Sequence, residues 1–308
     1  MDTADAAKSP AITVEMPPHL AMPIPAFQKD YWSRVAAGKS HMRNSSVAFV
    51  GLARSCAGPL TNNLAKLEQL AQLFGSWALH IEENDSNDAT VQVLTDFAAK
   101  HPQATFTSQR LDRQHFGAEF AGRRTIALAE YRATCQQWVR DCCPACDYVV
   151  AIDFDAWGGW IPDGVCNAFG WMLETADAYG MASVSLFEHQ FADGRQWAHY
   201  DLWALRGVGQ PDCYWDAYRN GCGGWGYGWF PPVGSQPVPV ASAFGGMVVY
   251  KAAPYLAGSY DGTNDCEHVE FHKSIRRRTG MKLYVCPAMR TVMHWIPEPK
   301  DAGQHSHD

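Results

Sequence analysis

No run of apolar residues in this sequence approaches the roughly 18 needed to cross a bilayer, so no membrane-spanning helix is expected. The amino terminus, MDTADAAKSP, begins acidic and lacks the basic-then-apolar order of a secretory signal. The expected location is therefore cytoplasmic, with contact at a membrane surface through an apolar patch left open. Positive charge is also scarce: 25 Lys and Arg face 32 Asp and Glu, a formal net charge of -7. The short cluster Arg276, Arg277 and Arg278 is no basic stripe, which argues against nucleic acid as a partner. Cysteine is not scarce, but zinc-site spacing is. Cys143 and Cys146 form a CxxC beside Cys135 and Cys142, and no second CxxC or HxxxH follows at a suitable distance. Reduced structural cysteines in a helix and its exit turn are expected. Internal repeats and low-complexity tracts are absent as well.

What is present is a hydrophobic content of 47% over 308 residues, enough for a sizeable core. Residues 1–45 read as an amino-terminal arm or extension, rich in proline and alanine without a sustained period. From Ser46 the pattern alternates. VAFVGLA (47–53) reads as a strand, followed by a polar loop and a helix with Leu60, Leu64, Leu67, Leu70 and Leu73 at helical spacing. WALHIEEND, SNDAT and VQVLTDFAAKH repeat strand, loop and helix. ATFTSQRL and the long helix RRTIALAEYRATCQQWVRDC then lead into the strand YVVAIDFD. Such alternation predicts an α/β fold with a mostly parallel central sheet and helices on both faces. Ligands of such sheets bind beyond the carboxyl ends of the strands, where Arg54, Glu83, Asp85, Asp153 and Asp155 fall.

After residue 156 the alternation breaks. CYWDAYRNGCGGWGYGWFPPVG (213–234) crowds aromatics and glycine into what reads as a long ordered loop. It serves either as a shield for the sheet edge or as a platform on which sugar rings stack. GGMVVYKAAPYL resumes regular structure, a helix opens after DGTNDCEHVEFHKSIRRRTG begins, and KLYVCPAM is the last strand; residues 298–308 form a tail.

Asp153 and Asp155 form a D-x-D at a strand end, an arrangement that suits Mg²⁺ or Mn²⁺ with diphosphate oxygens and water as the other ligands. Loop capping is the competing role for such a pair. Arg124, Leu128 and Arg132 are spaced by four, so both guanidinium groups fit one helix face, directed at a diphosphate or at Asp153. A solvated basic stripe is the alternative. His189, His199 and His268 beside aromatic residues read first as hydrogen-bonded structural groups.

Taken together, these segments resemble a glycosyltransferase of the GT-A fold, and within it the capsule-associated, cryptococcal-type mannosyltransferase-like proteins and their bacterial relatives. The resemblance runs from about Ser46 to Trp295. It implies a single domain over 46–297, with a nucleotide-sugar-binding half (46–156) and an acceptor half (157–297). It implies that VAFVGLARSCAGPLTNNL meets the nucleotide through Ala53, Arg54 and Ser55, that EENDSNDAT supplies Glu83 and Asp85 to base and ribose, and that Arg132 and Asp153 also face the donor. The DFD matches the metal motif, with His294 in TVMHW as a further ligand beside Asp153 and Asp155. SAFGGMVVY, with Phe244, Gly245 and Gly246, looks like the glycine loop of the donor and acceptor pocket. Asp201 in HYDLWALRG and Trp225 are implied on the acceptor or sugar side. NDCEHVEFH is similar to the acidic acceptor motif, but lacks its consecutive Glu-Asp pair. The acceptor-side group is thus open among Asp265, Glu267 and His268, with Glu267 first if transfer inverts the anomeric centre. If configuration is retained, no such base is required.

The expected activity is transfer of a hexose, mannose from GDP-mannose being the first donor to consider, from a GDP- or UDP-sugar to a glycan or other hydroxyl acceptor, with Mn²⁺ or Mg²⁺. A nucleotidyltransferase acting on sugar phosphates is a rival, although GLARSCAGPL has one arginine and no lysine where that class carries a glycine-rich basic loop. A catalytically silent carbohydrate-binding protein explains the aromatics but leaves the acidic strand ends without a use.

Overall fold

The computed structural model describes residues 16–116, 122–209 and 224–296. In chain order the elements are α1 (Pro18–Ala21), α2 (Pro25–Met42), β1 (Ser46–Ala53), α3 (Ala57–Ala71), β2 (Ser76–Asn84), α4 (Thr90–Lys100), β3 (Ala104–Gln109), α5 (Arg123–Cys142), β4 (Tyr148–Asp153), β5 (Gly159–Trp160) and α6 (Pro162–Glu174). There follow β6 (Ala178–Phe191), β7 (Gly194–His199), β8 (Arg206–Gly207), α7 (Gly224–Tyr227), β9 (Val238–Ser242), β10 (Met247–Lys251), α8 (Ala252–Ala257), α9 (Glu267–Thr279) and β11 (Lys282–His294).

Among the described residues the strands join one eleven-stranded sheet whose main path runs β3-β2-β1-β4-β10-β6-β11-β9-β8. The first four of these are mutually parallel, as the alternation of strand and helix requires. The expected α/β class and its parallel core are what the chain adopts. Antiparallel pairing enters with β10, which lies between β4 and β6, while β6 and β11 are again parallel.

Strands in a two-sided sheet must be apolar on both faces, and β1 and β4 show why their sequences read as continuous greasy runs. Val47, Phe49, Val150 and Ile152 pack on one side with Leu60, Leu64 and Leu67 of α3. Ala48, Val50, Val149 and Ala151 pack on the other with Cys135 and Val139 of α5 and Phe271 of α9. Each buried leucine of α3 contributes about 2 kcal/mol of transfer free energy.

Part of the stretch read as an arm without sustained period is the eighteen-residue α2, whose Tyr31, Val35 and Met42 join the same core. It lies almost in backbone contact with α6. A Cβ on Gly38 would fall 1.9 Å from the carbonyl oxygen of Cys166, and one on Gly170 would fall 2.5 Å from that of Arg34. The apolar pattern of α2 is weak because glycine and alanine, not large side chains, make this contact. The described cysteines are all free thiols, and the backbone N–H of Cys146 donates to the carbonyl of Cys143 in the turn that follows α5.

Candidate active site

The carboxyl ends of β1 and β4, the approach to β10 and the end of β11 meet around a cavity of about 540 Å³. Of the residues singled out from sequence, it brings together Ala53, Arg54, Arg132, Asp153, Asp155, Asp201, Phe244, Gly246, Glu267 and His268. Arg124, Leu128 and Arg132 all face it, so the helix-face reading of α5 holds.

Asp153 ends β4, and its backbone N–H donates to the carbonyl of Gly246 at 2.9 Å. The glycine loop thereby fixes the acid's position. Gly245 and Gly246 both have positive φ, 65° and 79°, and a Cβ on Gly245 would fall 2.2 Å from the Ser183 carbonyl oxygen. The Gly245 N–H donates to Asp201 Oδ2 at 2.8 Å, and the Ala204 N–H donates to Asp201 Oδ1 at 3.2 Å. Asp201 thus organises the loop that it shares with the cavity wall.

Arg132 is the hub of the site. Its Nε donates to Glu267 Oε1 at 3.0 Å and its Nη2 to Asp153 Oδ1 at 3.1 Å, while its guanidinium carbon lies 4.7 Å from the centre of the Phe244 ring. Burial alone would lower its pKa, but the charges of Asp153 and Glu267 win and raise it, so the guanidinium stays charged. Burial pushes the Asp153 carboxyl up to about 7 against the pull of Arg132, and the charge of Asp155 pushes the same way. Asp155 itself reaches solvent at the cavity, yet the surrounding protein desolvates it enough to raise its pKa. Burial likewise raises Asp201. Several carboxylates, each uneasy when ionised, therefore share one concave wall that a cation would relieve.

His294 is not among the residues that line the cavity, but its ring lies 6.4 Å from that of Tyr200, which is. Among the described residues no three His, Cys, Asp or Glu side chains converge at metal-binding spacing. β11 has a register irregularity between Val292 and His294; Met293 lines the cavity, and the His294 ring lies 5.2 Å from that of Phe187. An octahedral Mg²⁺ or Mn²⁺ held by one or two carboxylates draws its remaining ligands from phosphate and water, so the aspartate pair fits such an ion without a histidine.

Other expected donor contacts face elsewhere. Asp85 accepts the backbone N–H groups of Leu111, Asp112 and Arg113 at 2.7, 2.8 and 3.1 Å. These bonds and that from Asn84 outweigh its desolvation and hold its carboxyl down at about 2. Glu83 accepts from the Ser86 N–H and from the Ser108 hydroxyl. Ser55 donates through its hydroxyl to Asn87, and its N–H donates to Ser86. These three residues build the loops beside the cavity rather than its wall. Arg54 lines the wall and donates to the carbonyls of Arg113 and Gln114.

The three acceptor-side candidates are distinguished by their partners. Asp265 accepts from Arg206 at 2.7 Å, Glu267 from Arg132, and neither ring nitrogen of the buried His268 has a hydrogen-bond partner. His199 is structural: burial lowers its pKa to about 4, and Nδ1 lies 3.2 Å from the Trp229 carbonyl. Trp225 falls in α7 with its side chain outside the described residues, and residues 213–223 of the aromatic stretch 213–234 lie outside them too. Sequence reasoning missed Asn84, Tyr131, Tyr200 and Trp203 on the cavity wall. Tyr131 and Tyr200 adjoin Arg132 and Asp201, and Trp203 lies 5.1 Å beneath the Arg124 guanidinium, so proximity to a marked charge was the available signal.

No protein-family model matches the chain, and no curated protein matches it by sequence. Solved structures do. One is a mannosyltransferase from Pyrobaculum calidifontis in complex with GDP-Man and Mn²⁺, 13% identical over 87% of this chain and 66% of that one, TM-score 0.47. A second is TarS from S. aureus in complex with UDP-GlcNAc, 10% identical over 85% of this chain and 62% of that one, TM-score 0.47. A third is the M. tuberculosis glucosyl-3-phosphoglycerate synthase, 13% identical over 86% and 76%, TM-score 0.45. This chain spans less than two thirds of the first two. Likeness at this level carries no argument about activity, which has to come from the cavity.

Proposed function

We propose that the protein is a metal-dependent glycosyltransferase that moves a hexose from a nucleoside-diphosphate sugar to a glycan or other hydroxyl acceptor. The observation that carries this reading is the meeting of Asp153 and Asp155 with Arg124 and Arg132 on one cavity wall at the carboxyl ends of parallel strands. Acids alone suit a cation and arginines alone suit an anion. Both together suit a cation and a diphosphate side by side.

Asp153 and Asp155 would hold Mn²⁺ or Mg²⁺, and when bound the ion neutralises charge that grows on the departing diphosphate. Arg132, kept charged and fixed between two carboxylates, and Arg124, two helical turns earlier on the same face, meet the diphosphate oxygens. The pairing of Glu267 with Arg132 favours a positioning role for Glu267 over that of proton acceptor. Phe244 and Gly246 form the floor against which the sugar rests, and Tyr200 and Trp203 offer ring faces on the acceptor side. Mannose from GDP-mannose, and kinship with capsule-associated mannosyltransferase-like proteins, rest on the resemblance of the sequence segments. The free thiols suit a reducing compartment, and we place the protein in the cytoplasm on that ground. Among the described residues no helix is long and apolar enough to cross a membrane.

The test is a donor screen: the protein with Mn²⁺ and a panel of GDP- and UDP-sugars, scored for hydrolysis and for transfer to simple glycosides. Turnover of one donor, lost in chelator, is the expected result. Silence across the panel with glycan binding intact would move the assignment to a carbohydrate-binding protein.

A further inference from the structure

His268 stands in the first turn of α9 and lines the cavity, yet its side chain is only 4% exposed. Neither Nδ1 nor Nε2 has a hydrogen-bond partner. Its nearest acid is Glu267, whose Oε1 lies 3.5 Å from Nε2 and is already taken by Arg132. The ring plane is fixed by stacking on Phe244, with centroids 3.8 Å apart and planes 15° from parallel.

Its neighbour one turn on shows what a settled buried histidine looks like here. His272 has both nitrogens engaged, Nδ1 with the Ser242 hydroxyl at 2.9 Å and Nε2 with the Tyr250 hydroxyl at 2.8 Å. A polar group left bare in a protein interior is unfavourable unless a ligand or water meets it, and His268 carries two such buried atoms on a residue that lines the cavity. Burial, with Arg132 and His272 nearby, keeps the imidazole neutral. A neutral imidazole has one donor and one acceptor. Phosphate and carboxylate oxygens could satisfy only the donor, and an ammonium only the acceptor. Hydroxyl groups satisfy both.

We infer that His268 reads hydroxyl groups of the transferred sugar, one nitrogen donating and the other accepting, with Phe244 setting the plane of the ring. This rests on the glycosyltransferase reading above. The sugar is the favoured source because His268 follows Glu267, whose partner Arg132 also holds Asp153, which puts the imidazole beside the diphosphate end of the cavity.

The test uses His268→Phe, which keeps a flat ring for the Phe244 stack and removes both nitrogens, and His268→Gln, which keeps a donor and an acceptor. Calorimetry with GDP, UDP, GDP-mannose and UDP-glucose, each with Mn²⁺, gives for each variant the ratio of nucleoside-diphosphate to nucleotide-sugar affinity. For the sugar that the parent accepts, His268→Phe is expected to shift that ratio against the sugar by at least about tenfold. The affinity for the free diphosphate and the melting temperature should hold or rise, and His268→Gln should recover part of the ratio. An unchanged ratio in His268→Phe overturns the inference, as does equal weakening of both ligands with a lower melting temperature. A parent that binds none of the four nucleotides overturns the glycosyltransferase reading itself, and the sugar role with it.

Discussion

Arg132 meets Asp153 at 3.1 Å, so the acid that ends β4 is already faced by a cation from the helix that precedes it in the chain. With Glu267 on its other edge, the guanidinium stitches α5, β4 and α9 together at the cavity. Removing it should therefore be felt in stability before any chemistry is considered. Arg132→Met strands two carboxylates and should cost about 3 kcal/mol in urea unfolding. Arg132→Lys, which keeps the charge without the fork, should fall between. A melt indistinguishable from the parent would mean that the pairs contribute nothing net.

Asp155→Asn should behave in the opposite way. Its carboxylate is desolvated and adds to the repulsion at Asp153, so the neutral amide should leave the melting temperature unchanged or slightly higher. Transfer, however, should drop at least about a hundredfold if the acid holds a metal that stabilises the leaving group. Loss of fold with activity per folded molecule preserved would return Asp155 to loop capping.

Glu267→Gln separates positioning from proton transfer. As a partner of Arg132, its loss of charge should slow transfer by about tenfold or less, whereas removing a general base costs roughly 10² to 10⁴. Transfer rate and nucleotide affinity on the same preparation decide between them.

His199 supplies a pH signature. Burial holds its pKa near 4, below the ordinary value of 6.5, so the folded state resists a proton that the unfolded chain accepts. The stability it contributes is fully present above pH 6.5 and is lost as pH falls through about 4. The stability advantage of the parent over His199→Phe should accordingly shrink across that window in urea melts. An advantage that stays level from pH 7 to 4 would show that His199 titrates normally.

Asp85→Ala should release the segment that Asp85 clasps. Three backbone N–H groups of 111–113 then lose their acceptor, and trypsin should cut after Arg110 and Arg113 several times faster in the variant than in the parent. Equal cutting would mean that the neighbouring strand alone holds the segment.

The parallel half of the fold was legible because local and global demands agree there. α5 runs over Arg123–Cys142, the span its sequence suggested, and β1, β2 and β4 begin and end within two residues of their apolar runs. α2 was hidden because its contact with α6 uses Gly38 and Gly170, which carry no periodic apolar signal. The site was half legible: charge at strand ends marks Asp153, Asp155 and Arg132. Direction is another matter, since Asp85 and Glu83 lie at equally good strand ends but are taken up by β3, the segment after it and Ser86. Nor does a sequence reveal that, beside the register irregularity in β11, Met293 and not His294 lines the wall. His268 read like His189 and His199, a structural histidine beside aromatic residues, until its lack of hydrogen-bond partners could be seen.

The strand ends that line the cavity, those of β1, β4 and β11 with the approach to β10, all belong to one unbroken sheet, and α5 and the start of α9 line it as well. The strand side is thus a single stiff plate, and Arg132 ties α5 to it through Asp153 and to α9 through Glu267. Ligand capture in such a molecule has little room for jaw-like closure, and its outline in small-angle scattering should stay almost the same when a nucleotide enters, with any rearrangement confined to the loops at the rim.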